Sequence, residues 1–177
     1  MTNKFKTESL SFSQAISATQ SLIDQMKRNE LSEVDIQQAV SSIVNTKNGA
    51  RGFFVSYLTS DESLADHPST GVINGLKSSA ELSSELLVKN LAMSSAMVVT
   101  HSQNNDLQNI EGSKRVCQRT TNLIQQINLE SIQQELQKLQ TTIDQGNGEY
   151  QEFFERWEYQ SEQKKAIQAA ISNTLKQ

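Results

Sequence analysis

Proline and cysteine each occur once in the 177 residues, and histidine twice. One cysteine, Cys117, excludes an intrachain disulfide and fits a reducing compartment. One proline and seven glycines leave long stretches without a helix breaker. His67 and His101 form no Glu-x-x-His or His-x-x-x-His pair that would set two ligands on one helical face, so neither a metal nor another cofactor is expected. Long apolar runs are missing too. The longest uncharged, apolar-leaning one, residues 91–100, is about half the ~20 residues that span a bilayer. The opening MTNKFKTESLSF lacks the apolar segment of a secretory signal, so a cytoplasmic protein without a membrane partner is expected. Basic excess is absent: 16 Lys and Arg against 20 Asp and Glu give a net charge of −4, which argues against nucleic acid as a partner.

What is present favours helix. Leu, Gln, Lys, Glu and Ala are abundant, and a hydrophobic share of 36% predicts a narrow core between helices lying side by side. The length suits one domain. The expected architecture is an all-α, bundle-like domain over residues 1–177, with residues 1–10 a flexible lead-in, a central apolar helix at about 79–101 and a C-terminal helical hairpin.

The periodicity supports this. Phe12, Ile16, Thr19, Ile23 and Met26 recur at steps of three and four, predicting a first helix from Ser11 to Arg28. In LSEVDI, Ser32 and Asp35 are placed to cap a second helix, stapled by Leu31 and Ile36 and buried through Ile36, Val40, Ile43 and Val44. NTKNG then reads as a helix stop, with Gly49 left-handed. Residues 48–71 alternate well enough at Phe53, Val55 and Tyr57 to resemble a strand, but no convincing strand partner exists. A helix over 50–59 with Phe53 and Tyr57 in the core is therefore predicted, followed by a loop to Pro68.

A short helix to Lys77 follows, and Ser78 with Glu81 forms an apparent capping box for the central helix. HSQNNDLQNIEG reads as a polar connection, after which Ser113 caps a helix with stripe Val116, Thr120, Leu123 and Ile127. The stripe Leu129, Ile132, Leu136, Leu139 and Ile143 is out of phase with it, requiring a register shift or a break near Asn128. GNG at 146–148 reverses the chain into a last helix, Glu149 to Leu175, with Tyr150, Phe153, Trp157, Ile167 and Ile171 inward.

Candidate functional residues fall in three groups. Lys114 and Arg115, at the predicted helix start, together with Arg119 and Arg51, are the candidate anion-binding set, since cations in a first turn oppose the helix dipole unless an anion compensates. Tyr150, Phe154 and Tyr159 of EYQEFFERWEY are candidate interface residues, because five aromatics cannot all face one partner helix. Cys117 reads as a partly buried structural thiol. With no catalytic constellation, the favoured function is a non-enzymatic interaction or regulatory module that self-associates or binds another protein. The alternative is binding of an anionic small molecule at Arg51 and the Lys114–Arg119 segment.

Overall fold

The computed structural model describes residues 9–176. Among them it contains nine α-helices, one 3-10 turn and no strand. The first four helices are α1 (Phe12–Lys27), α2 (Glu33–Ile43), α3 (Lys47–Thr59) and α4 (Thr70–Lys77), with the 3-10 turn at Ser63–Ala65. Then follow α5 (Ala80–Gln103), α6 (Leu107–Ile127), α7 (Glu130–Gln145), α8 (Gln151–Trp157) and α9 (Ser161–Leu175). The expected flexible lead-in falls, for residues 1–8, outside the described residues; Leu10 packs against the core.

Local chemistry sets the helix starts. The Ser11 hydroxyl accepts from the Gln14 N–H at 3.2 Å while the Gln14 side chain accepts from the Ser11 N–H at 2.8 Å. Ser32 and Asp35 make the same reciprocal pair, as the sequence predicts.

Four boundaries differ from expectation. Gly49 is not a left-handed stop but lies inside α3, whose cap is Thr46; a Cβ on Gly49 would fall 1.9 Å from the Ile43 carbonyl oxygen, so glycine is there for close approach to the end of α2. The central helix starts at Ala80, and the Ser78 hydroxyl donates to the Gly75 carbonyl instead of capping. The polar stretch 101–112 is mostly helix: α5 runs on to Gln103, and Asp106, accepting from the Asn109 N–H, caps α6 six residues before Gly112. The last helix is two, because Glu158 takes a left-handed conformation (φ 51°) between α8 and α9. Asn128, also left-handed, breaks the chain between the two stripes that sequence shows out of phase.

Helix α5 is the axis of the fold, touching α3, α4, α6, α7 and α9, with Leu87, Val88, Leu91, Ala92 and Ala96 fully enclosed. Its buried Ser94 and Ser95 return their hydroxyls to their own helix, at 2.7 Å to the Asn90 and 2.8 Å to the Leu91 carbonyls, so small polar side chains sit in the core without orphaned groups. The first four helices form two pairs, α1 on α3 and α2 on α4. Each pair closes on a glycine: a Cβ on Gly52 would lie 2.5 Å from that of Ala15, and one on Gly75 2.5 Å from that of Val40. Phe53 and Tyr57 stack at 5.2 Å between ring centroids and are enclosed, which settles the 50–59 segment as a core helix.

Candidate functional site

Helices α3, α5 and α8, with Phe12 at one rim, enclose a cleft of about 730 Å³. Its floor is Phe54, Leu86 and Tyr150, all buried. The Tyr150 hydroxyl donates to Glu135 at 2.6 Å, and Lys138 holds Glu135 at 2.8 Å and Glu149 at 3.1 Å. Burial first, and the Glu135 carboxylate second, push the Tyr150 phenol well above its ordinary value, so it stays a neutral donor. The Lys89 ammonium, hydrogen-bonded to Glu85 in the cleft wall, holds that carboxyl below the usual range.

The rim is unlike the floor. Of the six large hydrophobic side chains exposed among the described residues, Phe12, Val55 and Trp157 all line this cleft, at 38%, 43% and 46% exposure. Cations stand between them. The Arg51 guanidinium lies 5.3 Å from the centroid of the Phe12 ring. Lys47, Arg51 and Arg156 line the cleft and have no carboxylate within salt-bridge distance among the described residues.

Of the four candidate anion-binding residues, only Arg51 is here. Lys114 pairs with Glu111 at 2.9 Å and Arg115 with Asp61 at 3.4 Å, both on the surface. Because α6 begins at Leu107, these two cations sit well inside a helix whose N–H groups are already bonded, and the helix-start argument for them does not hold. Arg119 is 1% exposed and spends all five of its donors: on the two Asp66 oxygens at 2.7 and 3.2 Å, on the Leu58 and Ser60 carbonyls at 3.0 and 2.6 Å, and on the Glu62 carbonyl at 3.1 Å. It clamps the end of α3 to the segment that follows it, residues 58–66, with no donor left for a ligand. The segment it holds begins at Leu58 in the last turn of α3, about 10 Å along that helix from Arg51, so the four do not converge.

The aromatic assignments also change. Tyr150, Phe154 and Tyr159, expected at an interface, are 4%, 8% and 8% exposed and pack edge to face around Phe153. Burial pushes the Tyr159 phenol up to about 12. Trp157, expected inside, is the exposed one, because α8 ends there and the left-handed Glu158 turns the chain so that Tyr159 takes the inner position. Cys117 is half-buried; burial raises its thiol above the ordinary value, although Ser94 bonds to it. His67 is exposed, and His101 stands 3.7 Å from an Asp106 oxygen. No group of three or more His, Cys, Asp or Glu among the described residues is arranged to hold a metal, and no described helix is long and apolar enough to cross a membrane.

The family model described as "Uncharacterised conserved protein UCP020893" matches residues 11–174, from the α1 cap into the last turn of α9. The chain belongs to that family. Every residue of the cleft lies within the matched span. No curated protein and no solved structure matches the chain.

Lys47 and Arg156 carry no sequence signal of their own, and Val55 only its place in the strand-like alternation of Phe53, Val55 and Tyr57. Phe12 and Trp157 were legible as aromatics but misassigned, since three-four spacing puts both on buried stripes. Only the helix ends, where such stripes lose their partners, distinguish them.

Proposed function

We propose that this protein is a non-enzymatic helical interaction module that docks an amphipathic, acidic segment of a protein partner in the cleft between α3, α5 and α8. One observation carries the reading: half of the large exposed hydrophobics surround a single cleft, interleaved with cations that have no carboxylate partner among the described residues. Exposed apolar side chains scattered singly need no explanation, whereas a rim of them around a concave surface marks a recognition site. The walls set the size of the occupant. Lys47 to Val55 on α3 and Glu85 to Met93 on α5 each run about 12 Å, room for roughly two turns of a docked helix. The reading also takes in an anionic group, as Arg51 faces the cleft. It places the protein in a reducing, cytoplasmic setting, on the free thiol of Cys117.

Trp157, the chain's single tryptophan, is a built-in reporter. A short amphipathic helical peptide with carboxylates beside its apolar face, itself free of tryptophan, is expected to shift Trp157 emission to the blue saturably. The same peptide with lysines for carboxylates should not. Equal indifference to both peptides would overturn the reading.

A further inference from the structure

The α3 side of the cleft is cationic, the 149–158 segment facing it is net acidic, and no ion pair joins the two among the described residues. The α3 wall is purely cationic: KNGARGFFVSYLT holds Lys47 and Arg51 and no acid. The facing segment 149–158 lines the cleft with Glu149, Glu152 and Arg156 and carries Glu155 and Glu158 outside that lining. Glu152, Glu155 and Glu158 are exposed and, like Lys47 and Arg51, make no ion pair among the described residues. Each wall also presents apolar surface, Val55 on α3 with Phe12 beside it, and Trp157 at the end of α8. A surface of this kind is complementary to itself under a two-fold rotation, the symmetry that brings each patch of one copy against the other patch of its mate.

Resting on the proposed docking reading, we propose that the occupant is a second copy of this chain: the α8 segment of each protomer lies against the α3 wall of the other. Trp157 of each covers Val55 and Phe12 of its mate, and Glu152 and Glu155 meet Lys47 and Arg51. The acidic, aromatic helix that the cleft selects is thus one the protein itself displays. Both contacts form twice in the dimer, so a modest patch is doubled. Charge pairs at the rim set orientation and respond to salt, and the apolar centre supplies the affinity.

Exchange of charge between the walls tests this. Sedimentation from micromolar to near-millimolar concentration is expected to show a monomer–dimer equilibrium, with Trp157 emission moving to the blue as dimer forms. The variants K47E/R51E and E152K/E155K, all at exposed positions, each set like charges against each other twice and should weaken dimerisation at least tenfold. Mixed one to one, they present a cationic patch to each acidic patch and should restore a heterodimer of wild-type affinity. Helical circular dichroism of each variant alone reports whether it is folded. A wild-type protein that stays monomeric overturns the proposal, as does a dimer in which Trp157 keeps its water-exposed emission or one that the mixture fails to restore. If the acidic peptide still shifts Trp157 in a monomeric protein, the docking reading stands and only the identity of the occupant is lost. If neither peptide nor self-association moves Trp157, both fall.

Discussion

The Arg119 guanidinium on α6 forks onto the carboxylate of Asp66, in the loop after α3, with Nε 2.7 Å from one oxygen and Nη2 3.2 Å from the other. Three backbone carbonyls take the remaining donors, so a buried charge is fully compensated, and the end of α3 is fixed to the 3-10 turn that follows it.

Removal of this clamp should be costly. Arg119→Ala leaves the three carbonyls of the loop short of their donor and is expected to lower stability by about 3 kcal/mol or more in urea denaturation. Asp66 is partly exposed and should matter less. Hydrogen bonds from Arg119 hold its carboxyl below the usual range. A group lowered in this way contributes stability above its unfolded value, about 3.9, and loses that contribution as pH falls through the folded value. The difference in stability between wild type and Asp66→Asn should therefore be constant near neutrality and shrink only in strong acid. A difference unchanged down to the acid transition would refute the assignment.

The glycines predict effects of opposite sign. Gly75→Ala forces a methyl to 2.5 Å from the Val40 Cβ between α2 and α4, and should destabilise by about 1–3 kcal/mol. Gly112→Ala, inside α6 with nothing within 4 Å of the new carbon, should stabilise by about 0.5–1 kcal/mol. Thermal melts of the two variants beside wild type decide the matter, and equal shifts would mean that the α2–α4 approach is looser than described.

All three tyrosines should resist ionisation. Burial is the leading cause of the raised phenol at Tyr57, Tyr150 and Tyr159, with Tyr159 at about 12. In the unfolded chain each titrates near 10. Protons therefore leave the unfolded state first, and stability declines as pH rises through about 10. Ultraviolet titration is expected to show no tyrosinate below that pH and then a cooperative rise coincident with loss of helical circular dichroism. An independent fraction titrating at the ordinary value in folded protein would contradict the burial.

Periodicity and caps located most of the helices. Ser11 and Ser32 are legible because a capping box is a local exchange between residues three apart, and Phe53 and Tyr57 because a lone strand has nowhere to bond. Errors cluster where tertiary contact overrides a local signal. NTKNG resembles a stop until Gly49 is seen beneath the Ile43 carbonyl; DLQNIEGSK looks polar because the first turns of α6 are largely exposed, Leu107 to 75%. Arg119 shows the same limit at a single residue. Beside Lys114 and Arg115 it reads as one more surface cation, and only the fold reveals five hydrogen bonds to four residues between 58 and 66. The cleft was the least legible feature, since its walls come from segments about a hundred residues apart.

The five-donor latch has a consequence for how the chain can be divided. It ties a loop that follows α3 to a side chain from the middle of α6, while the buried hydrophobic cluster runs unbroken from Ala15 to Ile171. A fragment ending before α5 would carry the loop but not its anchor, and the complementary fragment would carry an uncompensated guanidinium. The two halves are structural debtors of each other, expected to acquire protease resistance only when co-expressed and never separately.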